Sequence, residues 1–280
     1  MIAAKLLEAP GFARLLRRMP WPLGQELLAG VSLAEGCVRP FVAARVLRWA
    51  RGLPGRGRWL SAARMLANHG RFAAKEILLM AGERDAVLAR LRFEGLEHLD
   101  RALASGGVLL FGFHLGPPAG PLALRASGYR PLVWTGSSVD PQRAATWAAH
   151  LEPGEEPFIK PPAAGTAVAS LSRVARLLRD GHMVYLAVDG KGSSAFEVAT
   201  PARVVPVRTG CLALRRHARP TSLPLMTRRE ADRVVVTVHE PLPPVDPDPQ
   251  RDRERCRDAL APLLHDYARR FPEQCRPLSF

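Results

Sequence analysis

The sequence predicts an α/β fold: a mixed, mainly parallel central sheet flanked by helices, with an N-terminal helical region ahead of it. Three observations predict it. Gly107-Val108-Leu109-Leu110-Phe111-Gly112 and Met183-Val184-Tyr185-Leu186-Ala187-Val188 are short apolar runs of strand-forming residues, bounded by turn residues. Runs of that kind are strands buried on both faces. Apolar residues at helical spacing lie between the two runs, as a parallel sheet with crossover helices requires. Residues 1–92 carry helical spacing alone.

Taken in order, Leu6, Leu7, Phe12, Leu15, Leu16 and Met19 line one helical face beside Arg14, Arg17 and Arg18, until Pro20-Trp21-Pro22 breaks the pattern. This is either a basic interfacial anchor or a helix packed on the main domain. A second helix spans 25–50, interrupted at Pro40; a basic turn covers 51–58; a third helix spans 59–80; and 85–92 adds a helical turn or two. The α/β domain, 93–280, opens at Phe93-Glu94-Gly95. A helix over 95–103 precedes the first buried strand. Gly116-Pro117-Pro118 turns the chain into a helix over 121–127, stopped by Gly128. The segment 130–135 reads as a parallel neighbour of the first strand, closing a βαβ unit.

Further on come a short helix over 144–151, a strand over 158–160, and a helix capped by Thr166 and ended by Gly181. The second buried strand ends at Asp189-Gly190-Lys191-Gly192. An irregular stretch over 200–208 leads into a helix over 211–217. A strand over 222–226, an alternating strand over 233–239, a proline-rich connector over 241–249 and a helix over 251–270 complete the chain.

The net charge of +14 comes almost wholly from arginine, 36 residues against 4 lysines. Arginine binds phosphate bidentately and keeps its proton, so an anionic partner is expected. Aromatic residues do not interleave with a basic patch, which argues against a stacking platform for nucleic acid. Cys37, Cys211, Cys256 and Cys275 lie far apart with no C-x-x-C, and are expected to be free, buried thiols in a reducing compartment. The histidines show no metal-ligand spacing, and no nucleophile elbow or phosphate loop occurs. No stretch approaches the ~18 apolar residues of a membrane span, and no signal pattern opens the chain.

The chemistry centres on His114, which the first buried strand delivers to its C-terminal edge, where open α/β sheets place their ligands. Around it, Phe93-Glu94-Gly95-Leu96-Glu97-His98-Leu99, Gly107-Val108-Leu109-Leu110 and His114-Leu115-Gly116 resemble the core motifs of the lipid A biosynthesis acyltransferases, the lauroyl/myristoyl transferases of the lysophospholipid acyltransferase superfamily. The likeness continues in order through Asp189, the segment 200–210 closing at Gly210, Ser222-Leu223-Pro224-Leu225-Met226, and Phe271-Pro272-Glu273-Gln274. Cys275 stands where that family has tryptophan.

The resemblance implies a glycerol-3-phosphate acyltransferase-like fold with no metal or bound cofactor. It also implies transfer of a fatty acyl group from an acyl-carrier-protein or coenzyme A thioester to the hydroxyl of a lipid acceptor. His114 would be the general base. The family's orienting carboxylate lies five residues on, where this chain has Ala119. Three readings stay open: Asp189 substitutes, a backbone carbonyl orients the ring, or the protein is an impaired or inactive lipid-binding relative. Gly116, Lys191, Arg208 and Gly210 are the expected substrate-binding residues, Arg208 because it sits beside a helix N-terminus suited to phosphate. The expected location is peripheral, on an anionic membrane surface at the cytoplasmic face of the inner membrane.

Overall fold

The computed structural model describes residues 12, 15–16, 18–51, 58–81, 85, 88–134, 151, 155–159, 167–190 and 193–275. Residues 144–150 of the helix expected over 144–151, the Thr166 cap, Lys160 and Lys191 lie outside the described residues. So do residues 1–11 and most of the basic turn after Arg51.

Three helices come first: α1 (Trp21–Val38), α2 (Pro40–Ala50) and α3 (Arg58–Ala81). Pro40 interrupts the second expected helix as predicted, and the halves are bent by 99°. Val42, Val46 and Ala50 pack against Ala62, Met65 and Leu66. Gly70 lets α3 close on α1, since a Cβ there would sit 2.0 Å from the Leu28 carbonyl oxygen. Among the described residues, no single helix is long and apolar enough to cross a membrane. Leu23, Val38, Phe41, Trp59 and Leu60 are nonetheless exposed.

The α/β part runs β1 (Leu91–Glu94), α4 (Leu96–Ser105), β2 (Val108–Gly112), α5 (Gly120–Ala126), β3 (Leu132–Trp134), β4 (Phe158–Ile159), α6 (Ala167–Arg179), β5 (Met183–Ala187), β6 (Ser194–Ala199), β7 (Val204–Arg208), α7 (Thr209–Ala218), β8 (Thr221–Glu230), β9 (Arg233–Val238) and α8 (Pro249–Arg270), then a 3₁₀ turn, Pro272–Gln274. Seven strands form one sheet in the order β1-β9-β8-β2-β5-β3-β4. Every pairing is parallel except β8 with β9, so β1 and β9 run against the other five. This is the mixed, mainly parallel sheet the sequence predicts.

The central strand β2 is buried along its whole length. Leu109 and Phe111 face a core built with α6, α7 and α8, while Val108 and Leu110 face a second core built with α4 and α5. Side chains that alternate between two covered faces account for its unbroken apolar run. At its C-terminus α8 ends in Arg269 and Arg270, and at its start Asp248 accepts a hydrogen bond from the Gln250 amide at 2.8 Å, so both ends suit the helix dipole.

Four expectations are corrected. Leu91 and Arg92 belong to strand β1, where Arg92 pairs with Val235, instead of a helical turn. The strand after α5 is not the neighbour of β2: β5 lies between them, because β5 takes the position on β2 that hydrogen-bonds Val108 to Gly112. The stretch before Arg208 is not irregular but an antiparallel ribbon, β6 with β7. Cys37 is exposed, while the other three thiols are buried.

Candidate active site

Parallel pairing of β2 with β5 sets Gly112 opposite Ala187. Two residues beyond each of these come His114 and Asp189, so the register alone brings them to the same edge. His114 Nδ1 lies 2.8 Å from Asp189 Oδ1. The His114 amide donates to both carboxylate oxygens at 3.0 Å. From the other side Arg203 Nη2 donates to Asp189 Oδ2 at 2.6 Å.

Asp189 is fully buried, whereas the His114 side chain is 44 % exposed. Burial alone would raise the carboxyl pKa. The His114 hydrogen bond and the charges of His114 and Arg203 outweigh it, and the pKa lies below the usual value. An ionised carboxylate only accepts, so Nδ1 carries the proton it shares with Asp189, and in the neutral imidazole the lone pair is on Nε2. An imidazole fixed in this tautomer, with one edge open, can take a proton from a bound hydroxyl or thiol.

The loop that holds His114 is buttressed from two directions. Gly116 N donates to Gln274 O at 2.9 Å, and Leu115 bridges to Cys275. Thr227 Oγ1 donates to the carbonyls of Leu115 and Pro117, and Tyr267 Oη donates to the Thr227 carbonyl at 2.8 Å. Gly116 has φ +67°, and a Cβ there would stand 1.9 Å from the Thr227 oxygen. Glycine is therefore demanded by backbone packing at this position.

Of the other expected site residues, Arg208 closes the neighbouring loop. Its Nε donates to the Gly190 carbonyl, its Nη1 to Ser194 Oγ at 2.8 Å, and its amide to Val188 O at 2.9 Å. Its guanidinium thus braces the chain next to Asp189. Gly210 lies in the first turn of α7, and a Cβ there would meet Leu171 only at 3.8 Å, so packing does not require glycine. Ala119 is buried among Leu122, Leu223 and Leu225, on the α4–α5 face of the sheet. The structure therefore assembles His114, Asp189 and the Gly116 turn, with Arg208 one residue away from Asp189.

Arg203 is the residue that sequence reasoning missed. Its side chain is 7 % exposed, and its Nε and Nη1 are buried with no hydrogen-bond partner among the described residues. Thr200 holds the turn beneath it, accepting from the Arg203 amide at 3.0 Å and donating to its carbonyl at 2.6 Å. Nothing in the sequence marks this arginine among 36. Two buried thiols flank the group: burial pushes Cys211 up to about 12, helped by Asp189, and pushes Cys275 up to about 12 against the pull of Arg203. Both therefore stay protonated at neutral pH.

No protein-family model matches the chain, and no curated protein matches its sequence. Among solved structures, it is similar to the 1-acyl-sn-glycerophosphate (LPA) acyltransferase PlsC from Thermotoga maritima. The TM-score is 0.44 at 12 % identity, over 86 % of this chain and 96 % of that one. A likeness at this level assigns no activity.

Proposed function

We propose that the chain is an acyltransferase that moves a fatty acyl group from a thioester donor to the hydroxyl of a lipid acceptor, with His114 as general base and Asp189 as its orienting carboxylate. The observation that carries this is the half-exposed imidazole held through Nδ1 by a fully buried, ionised aspartate. His114 Nε2 takes the proton of the acceptor hydroxyl as its oxygen adds to the thioester carbonyl. The C–O bond forms, the C–S bond breaks, and the departing thiolate recovers the proton from the imidazolium. Asp189 and Arg203 stay charged throughout and hold the ring's tautomer and direction.

Acyl carrier protein or acyl coenzyme A is the donor class. An excess of arginine favours an acidic carrier and an anionic lipid surface alike. Exposed Leu23, Phe41, Trp59 and Leu60 on the first three helices form the membrane-facing contact, with the enzyme peripheral to the inner membrane. A lipid A-like or lysophospholipid-like acceptor fits the motifs around His114.

Transfer from acyl coenzyme A and from acyl carrier protein to lysophospholipid and lipid A precursors tests this. Wild type should transfer, and His114→Ala should lose about 10²- to 10⁴-fold. Equal rates for the two proteins would leave a lipid-binding relative without turnover.

A further inference from the structure

A polar cleft of about 500 Å³ lies between α3, the β8–β9 turn and the chain leaving α8. Its walls come from three parts of the chain: Arg64, Asn68 and Arg71 of α3, the β8–β9 turn at Arg229 and Glu230, and the chain leaving α8 at Arg270 and Glu273. Gln274 joins the cleft to the loop. It exchanges hydrogen bonds with the Arg229 backbone at 2.7 and 2.9 Å, while its own carbonyl accepts from Gly116.

Four arginines against two glutamates leave the wall with a net charge of +2. Several of these charges are already matched. Arg71 is held bidentately by Glu26 at 2.8 and 2.7 Å, Arg270 pairs with Asp266, and Glu230 pairs with Arg92 and Arg228. Arg64, Arg229 and Glu273 form no ion pair among the described residues. Arg229 is half-buried, and its Nε is buried with no hydrogen-bond partner. Burial, with Arg71 close by, pulls its pKa below that of a free arginine. Glu26 and Asp232 offset this only in part, so the cleft still presents guanidinium donors that no carboxylate pairs directly.

We infer that this cleft binds a phosphate-class oxyanion, through Arg229 and Arg64. The planar guanidinium fork suits bidentate contact with phosphate oxygens, and two such forks suit the three terminal oxygens of a phosphomonoester better than the two of a carboxylate. The volume leaves room for the rest of a molecule carrying it. A soluble phosphomonoester and a lipid with a phosphomonoester headgroup present the same chemistry. The inference does not rest on the acyl-transfer reading, since it concerns binding alone.

Calorimetric titration of the full chain with inorganic phosphate tests it, with chloride holding ionic strength constant. Wild type should bind saturably. Arg229→Gln and, on the helix, Arg64→Gln should each weaken binding about tenfold, the range of a hydrogen bond to a charged group. His114→Ala should bind as wild type. In a second arm, vesicles of phosphatidic acid are compared with phosphatidylglycerol at matched surface charge. A phosphatidic acid preference lost in Arg229→Gln identifies a headgroup ligand; saturable phosphate binding without that preference identifies a soluble one. Absence of both, or binding undiminished in both variants while circular dichroism shows them folded, overturns the inference.

Discussion

Asp189 is a charge with no access to water, and it survives ionised because His114 and Arg203 surround it. Asp189→Asn should reduce transfer by up to about 10⁴-fold, as loss of an orienting aspartate does in a serine-protease triad. It also leaves the Arg203 guanidinium buried without a counter-charge, at a stability loss of about 3–5 kcal/mol, read by urea unfolding. The pH dependence has a definite sign. The folded pKa lies below 3.8, so the stabilisation is fully present above 3.8 and is lost as pH falls below it through the folded value. Glu94 behaves alike in a higher window: Arg228 hydrogen-bonds its carboxylate and holds it at about 2, so its contribution fades from about pH 4.5 down to 2. Thermal melts against pH should show a shallower acid slope for Glu94→Gln than for wild type. Ala119→Glu should not restore a family-like dyad. Position 119 is 1 % exposed, among leucines, and a carboxylate there lowers the melting temperature without raising the rate. At this scale Asp189 was legible because it ends a buried strand. Arg203 was not, since its partner lies across a turn that only the folded ribbon defines.

Single elements account for how firmly the site is set. Gly116→Ala meets both a left-handed backbone, worth about 1–3 kcal/mol, and a carbonyl oxygen 1.9 Å from the new Cβ. It should destabilise the chain and depress kcat more than KM, because the loop that aims His114 must shift. Between the two helices that cover one face of the sheet, Arg215 of α7 and Asp252 of α8 form an ion pair exposed by no more than 2 %. Arg215→Met leaves the buried Asp252 with only Arg216 at 3.8 Å and the Asp246 amide at 3.2 Å, and should cost up to about 3–5 kcal/mol in urea unfolding. The long helices and the doubly buried strands were readable from periodicity, since their faces are set by local spacing. The ribbon β6–β7 was not. In β6 only Val198 is buried, while β7 buries Val205, Pro206 and Val207 in a row with a proline among them, so the alternation that marks a strand is weak. Sheet order also escaped the sequence, because nothing local says that β5 inserts between β2 and β3.

For the whole molecule, charge and apolar exposure act together. On the proposed reading, the net charge of +14 would gather the protein on anionic lipid, and Phe41 and Trp59, 68 % and 65 % exposed, would supply apolar contact once it arrives. Phe41→Ser with Trp59→Ser should reduce sedimentation with anionic vesicles, while added salt should weaken the wild type as well. The architecture also imposes an order of events. The imidazole is carried by a loop written before the middle of the chain, yet that loop leans on Gln274 and Cys275, written near its end. A chain synthesised only as far as Asp189 can already pair β2 with β5, but it has no abutment for the turn at Gly116. On the proposed reading, reactivity would be withheld from nascent protein until α8 has closed over the sheet.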